Sequence, residues 1–169
     1  MRIAVVGRGN VGGGLADLWE RAGHQVTRIG RDGGDVSAAE VVLVAVPGGA
    51  IAEALDKLQG LAGQTVIDAT NRVGVDPPPG FFSNAEFVKS RTHGPTAKAF
   101  NINFAALYGR LGEARAVVEQ LNRDAGYEPV YTGPLGNAAA QEGLIGTVFA
   151  IAQGGMGPFV YRMAPPDQH

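Results

Sequence analysis

Hydrophobic positions in this chain fall into short, uninterrupted apolar runs that alternate with stretches of helical spacing. Ile3–Val6 and Val41–Val46 are the clearest runs. A strand that is apolar at every position is what a parallel sheet buried on both faces requires. Val11, Leu15, Leu18 and Ala22 recur at i, i+4, i+7 and i+11, which predicts a first helix with one apolar stripe, stopped at Gly23. Gln25–Ile29 reads as a second strand, and residues 30–39 as a polar, glycine-containing loop. The third strand, Val41–Val46, ends at Pro47-Gly48-Gly49. Ile51, Ala54, Leu55 and Leu58 predict a second helix, closed by Gly60 and Gly63, and Thr65–Ala69 a fourth strand.

The second half continues the pattern. A loop from Asn71 to Gly80 contains Pro77, Pro78 and Pro79. Ser83 is placed to cap a short helix through Ser90. Ala97–Asn101 reads as a fifth strand and Glu128–Thr132 as a sixth. Between them, Ala114, Val117, Val118 and Leu121 share one helix face, and Gly126 ends that helix. Gly133-Pro134-Leu135-Gly136 is a turn. Asn137 is placed to cap a last helix whose Leu144, Ile145, Val148, Phe149 and Ile151 make it apolar nearly all round. Such a helix must be covered, by the core or by a second copy of the chain. Strand and helix alternating through short connections predict an α/β, Rossmann-type, doubly wound and mainly parallel sheet of about six strands, with helices on both faces. No linker divides the chain. One domain is expected over 1–169, with a dinucleotide-binding core at 1–101 and a C-terminal extension at 102–169 packed on the same sheet.

Composition narrows the function classes. With 45% hydrophobic and 18% charged residues the chain reads as globular rather than disordered. A net charge of −2 provides no basic field for nucleic acid or an anionic membrane. The absence of cysteine excludes disulfides, thiolate metal sites and a Cys nucleophile, and it is compatible with the cytoplasm. The first apolar run is too short for a signal peptide. The uncharged stretch from Gly143 to Tyr161 is broken by Gly154, Gly155, Gly157 and Pro158, so a buried or interface helix is expected there rather than a membrane span.

Candidate chemistry begins where the first strand ends. Gly7-Arg8-Gly9-Asn10-Val11-Gly12 is a G-x-G-x-x-G turn between a strand and a helix. In that setting the first glycine allows the tight turn, the second lets a pyrophosphate approach the backbone, and the third lets helix and strand pack closely. The helix start offers free N–H groups and the positive end of its dipole. The end of the second strand selects the nucleotide. Gly30 falls where an acid would bind both ribose hydroxyls of NAD, and Arg31 follows it, suited to the 2′-phosphate of NADP. Arg8 adds charge beside the same position. Asp32 is the contrary sign, since a strand ending one or two residues later would make it the ribose ligand. NADP(H) is the expected cofactor, with NAD and no dinucleotide as the alternatives. Val46, Pro47 and Asn71 lie at strand ends, where the cofactor is expected to cross the sheet.

Other side chains point elsewhere. His24, His93 and His169 show no metal spacing. His24 suits a structural place after a helix, and His93 is a loop residue that remains a candidate proton donor. Asp68 reads as a hydrogen-bonded strand carboxylate and Trp19 as packing. No G-x-S-x-G elbow occurs.

Four segments carry a family likeness. Gly7–Gly12 resembles the G-T-G-N-V/L-G turn of coenzyme F-420-dependent NADP oxidoreductases and their dinucleotide-binding relatives. Gly30-Arg31 resembles their Ser-Arg pair, Lys98-Ala99-Phe100-Asn101 their K-A-F-N strand end, and Gly133-Pro134-Leu135 with Asn137 their G-P-L-x-N segment. The resemblance implies hydride transfer between NADP(H) and coenzyme F-420 or another organic acceptor. It implies Phe100, Asn101, Gly133, Pro134 and Leu135 near that second partner; Thr70, at a strand end, is a further candidate for it. Family members commonly hold a further strand between the positions of Asn101 and Gly112, and here that strand is expected to be deleted. A shortened relative that only senses NADP(H) is the alternative, and a small imine or keto-acid reductase a weaker one. Small molecules are the expected partners, with a homodimer through the last helix.

Overall fold

Alternation along the central strands divides the interior into two layers. Ile3, Val5, Val41, Leu43, Ile67, Ala69, Ala97 and Ala99 face one side of the sheet, where they meet Leu15, Ala16, Trp19, Val118 and Leu121. Ala4, Val6, Val42, Val44 and Val66 face the other, against Ile51, Leu55, Phe87 and Val88. This is the two-residue period of a strand expressed as two cores. The structure, a computed structural model, describes residues 1–100, 105–108 and 113–156. Its elements are β1 (Arg2–Val6), α1 (Asn10–Arg21), β2 (Gln25–Ile29), β3 (Gly34–Asp35), β4 (Val41–Val44), α2 (Ile51–Asp56), β5 (Leu58–Gln59), β6 (Thr65–Asp68), α3 (Asn84–Thr92), β7 (Thr96–Ala99), β8 (Ala105–Tyr108), α4 (Glu113–Asp124), β9 (Val130–Pro134) and α5 (Ala138–Ile151).

The main sheet has the order β2-β1-β4-β6-β7-β8-β9. From β2 to β7 every pair is parallel. β8 runs antiparallel to β7, and β9 pairs in parallel with β8. With α1 and α4 on one face and α2 and α3 on the other, this is the doubly wound Rossmann-type arrangement.

Four expectations need correction. The strand expected to be deleted is present: β8 pairs with β7 through Ala97↔Tyr108, Lys98↔Leu107 and Ala99↔Ala106. Four residues are too few to show a period, yet without them β7 would expose its ladder groups. Within the 30–39 loop, Gly34–Asp35 forms a two-residue ladder with Leu58–Gln59, which removes Leu58 from the second helix. The buried face of α1 is Gly12, Leu15, Ala16 and Trp19, while Val11 is exposed. The stripe shifts because the small residues sit at the closest approach to the sheet. Finally, α5 is not a core helix. Its buried residues include Ala138, Gln141 and Glu142, whereas Leu144, Ile145 and Val148 are half-buried and Ile151 is exposed.

Several local signals hold. Ser83 caps α3, accepting from the Glu86 N–H at 3.1 Å, and the Glu86 carboxylate returns to the Phe82 N–H at 2.9 Å. Gly126 ends the α4 segment at φ 87°. Asn137 instead donates to the Thr132 carbonyl at 2.9 Å. Among the described residues no helix is long and apolar enough to cross a membrane.

Trp19 joins α1 to α4. It is fully buried and donates its indole N–H to the Leu121 carbonyl at 2.9 Å. Trp19→Ala is expected to lower unfolding free energy by about 3–5 kcal/mol in a urea titration. A loss below about 1 kcal/mol would show that the α1–α4 contact is not part of the core.

Candidate functional site

The direction of winding reverses after β2. β1 has β2 on one side and β4 on the other, so a crevice opens at their carboxyl ends. The glycine turn stands in that crevice. Gly7 has φ +106°, and a Cβ there would lie 2.2 Å from the Ala45 carbonyl oxygen. A Cβ at Gly12 would lie 2.0 Å from the Gly7 carbonyl oxygen. Both glycines are therefore demanded by the protein's own packing. Gly9 is different. Its backbone is extended (φ −75°, ψ −166°), and a Cβ there would meet nothing within 4 Å. Neither fold nor packing requires glycine at this position, and its bare Cα leaves the backbone N–H groups beside it open to approach.

The start of α1 is also bare. Gly9 is its N-cap, no side chain caps it, and its first turn has no acidic residue. Asn10 and Val11 are exposed beside the turn. Unpaired N–H groups, an uncapped dipole and open space form a ready anion site. These features fit the phosphate bridge of a dinucleotide.

At the end of β2 the bare Cα of Gly30 is covered by Arg8. A Cβ on Gly30 would lie 2.3 Å from an Arg8 Nη atom and 2.8 Å from its Cζ. The place of an acidic side chain is thus filled by a guanidinium. Arg31 and Asp32 are exposed in the next turn. Lys57, which the sequence reading missed, donates to the Arg31 carbonyl at 3.0 Å and to Glu53 at 2.7 Å. Its hydrogen bond holds the Glu53 carboxyl below the usual range, and the charge of Arg31 adds to the effect. Arg28 is not available to a ligand: it donates to Asp17 at 2.6 Å and Glu20 at 2.7 Å, and these bonds raise its pKa. Arg8, Arg31 and Lys57 therefore gather positive charge at this end.

At the other end, Val46 is half-buried and Pro47 exposed after β4. Thr70 and Asn71 follow β6. The Asn71 Oδ1 is buried without a hydrogen-bond partner. Such an atom is costly unless something else satisfies it.

The second-partner candidates do not converge. Phe100 has φ 64°. Strict alternation would turn it toward α3, but the left-handed backbone carries it to the opposite core. There its ring meets Trp19 edge-on at 5.8 Å and Tyr127 at 6.2 Å. It also borders a groove of about 490 Å³ along α1, with Asn10, Val11 and Tyr127. Asn101 lies outside the described residues. Gly133 and Pro134 close β9, the last strand of the sheet, which runs toward the amino ends of the central strands. Pro134 is level with Tyr108, which is level with Ala97 at the start of β7. Leu135 packs on Ala85 and Ala138. His93, at φ 56°, terminates α3. His24 holds Asp124 at 2.8 Å and the N-terminal ammonium at 3.1 Å, a structural role. His169 lies outside the described residues. Among the described residues no group of three or more acidic or His side chains could hold a metal.

The largest surprise lies below Thr70. Lys98 and Asp68 are register partners on β7 and β6, both fully buried. The Lys98 ammonium contacts Asp68 at 2.8 Å, Glu142 of α5 at 2.9 Å, and the Thr70 carbonyl. Its three donors meet three acceptors. Glu142 also accepts from the Asn84 N–H at 3.1 Å and the Ala85 N–H at 3.4 Å, at the start of α3. Asp68 accepts from the Thr70 N–H at 2.9 Å, and the Asn84 side-chain amide donates to the Thr70 hydroxyl at 3.0 Å. The signal was in the sequence: Lys98 is the one charged residue of its strand, and a charge buried there calls for a counter-charge. Its partner Glu142, forty-four residues away (142 − 98), is likewise the one charged residue of α5, but nothing local pairs the two.

No protein-family model matches the chain, and no curated protein does. Solved structures do. The chain is similar to a candidate F-420-dependent NADP reductase from Arthrobacter sp. FB24, with TM-score 0.80 and 20% identity over 96% of this chain and 99% of that one. It is similar to a hypothetical protein of Sinorhizobium meliloti, with TM-score 0.65 and 21% identity over 82% and 88% of the two chains. A reductive aminase from Aspergillus terreus, solved with NADPH and ethyl levulinate, has TM-score 0.65 at 17% identity; 90% of this chain covers 62% of that one. At these identities the likeness establishes a shared Rossmann-type α/β fold.

Proposed function

We propose that the protein binds NADP(H) and passes hydride between it and a second organic acceptor, of which coenzyme F-420 is the leading candidate. The observation that carries the reading is Gly9, a glycine with ordinary backbone angles and empty space above it, at the uncapped start of a helix. The 2′-phosphate is assigned to Arg8 and Arg31, with Lys57 adding charge. The likeness to the Arthrobacter and Aspergillus proteins supports the same choice.

When bound, the nicotinamide ring supplies the hydride chemistry. The chain's own residues orient it. The α1 N-terminus holds the phosphates, Arg8 and Arg31 hold the adenosine end, and Val46, Pro47, Thr70 and Asn71 flank the ring. None of these last four residues is an acid or base. That favours a second reading, a sensor that binds NADP(H) without turnover. The other support for a sensor, a deleted strand, is withdrawn by the presence of β8. A homodimer through the apolar flank of α5, at Leu144, Ile145, Val148 and Ile151, belongs to this proposal.

Three outcomes are expected. Gly9→Ala keeps its unfolding free energy within about 0.5 kcal/mol of the wild type but loses NADPH binding by calorimetry, whereas Gly12→Ala loses several-fold more stability. If Gly9→Ala binds normally, the turn is not the phosphate site. Arg31→Ala weakens NADPH roughly ten- to hundredfold and leaves NADH little changed, as expected for one charge-assisted contact. Equal losses for both nucleotides would mean the adenosine end is misplaced. Reduced deazaflavin is consumed when NADP is added; NADPH binding without turnover of deazaflavins, flavins or imines would select the sensor.

A further inference from the structure

The Lys98 network lies one layer below the nicotinamide end of the crevice, and its energetics need explaining. A buried ion pair seldom stabilises a fold more than apolar side chains of the same size, because both charges lose their water. Here the desolvated groups are Lys98, Asp68 and Glu142, all essentially inaccessible. The half-exposed Arg72 approaches Glu142 at 3.5 Å. What such a network can provide is fixed geometry.

Its reach shows what is held. Thr70 is tied at each polar atom: its N–H to Asp68, its carbonyl to Lys98, and its hydroxyl to Asn84. Asn71, the next residue, thereby has its backbone located from one side. From the other side it meets the turn after β4. A Cβ at Gly48 would stand 3.0 Å from the Asn71 carbonyl oxygen and 3.1 Å from the Asn84 Nδ2. Asn84 thus touches both loops of this end, and Glu142 grips the Asn84 and Ala85 N–H groups from α5. Asn71 itself leaves a buried Oδ1 unsatisfied. Thr70 below it is fully bonded, whereas the Asn71 Oδ1 has no donor among the described residues.

We propose that Lys98, Glu142 and Asn84 are positioning residues, which hold Asn71 and the 47–49 turn in the geometry that receives the nicotinamide half of NADP(H). This rests on the dinucleotide reading above. None of the three needs to touch the ligand. They act through Thr70 and Asn71, as supporting residues do when they lock the groups that make contact.

The test separates the two halves of the ligand. Calorimetry is run on the full chain with NADPH and with 2′,5′-ADP, which carries the adenosine end alone. Wild-type protein is measured first, and heat with neither compound would overturn both the dinucleotide reading and this proposal. Lys98→Met would strand two buried carboxylates, so the informative variants are Glu142→Gln and Asn84→Ala. Asn84→Ala retains the backbone donors to Glu142 and removes the side-chain link to Thr70 and its contact beside Gly48, so it keeps the test open should Glu142→Gln fail to fold. In a folded variant NADPH affinity is expected to fall roughly ten-fold, the loss of one buried hydrogen bond, while 2′,5′-ADP affinity stays within about twofold. A merely structural network predicts a lower melting temperature with both affinities unchanged or reduced together. Either of those results overturns the proposal while the dinucleotide reading stands.

Discussion

No side chain can stand at residue 12. The Gly7 carbonyl oxygen occupies the space that a Cβ would need, 2.0 Å away, and the Ala45 carbonyl leaves no more room at residue 7. These two contacts bring α1 against the carboxyl ends of β1 and β4. Beside them α1 begins at Gly9 with no side-chain cap. Packing and ligand access follow from one constraint: backbone must meet backbone.

A sheet covered on both faces gives an ionisable side chain no water. Asp68 and Lys98 therefore had to meet, and the two-residue period puts them on the same face as the α3 core. Glu142 makes the arrangement a joint between β6, β7, α3 and α5. Each group would be costly alone; breaking such a pair commonly costs about 3–5 kcal/mol. The joint lies directly beneath the loops that follow β4 and β6, and it ties them to α3 and α5.

Much of this was legible along the chain. The apolar runs of β1 and β4, the glycine turn, the Ser83 cap and the Gly126 stop are local signals, and each appears where its chemistry demands it. The legibility ends where an element takes its meaning from a distant partner. β8 is four residues long and exists because β7 needs an antiparallel neighbour. Gly133 and Pro134 close β9, a strand whose direction no local pattern encodes. Phe100 follows a strand in sequence yet crosses to the other core through one positive φ.

The sequence by itself determined the strand runs, the uncapped helix start and the absence of an acid at residue 30, because these depend on neighbours within a few residues. Only the tertiary structure decided that Arg8 lies over Gly30, that Lys98 meets Glu142, and that β9 runs against the central strands. Those are contacts between segments far apart in the chain, and strand direction and burial, rather than local preference, bring them together.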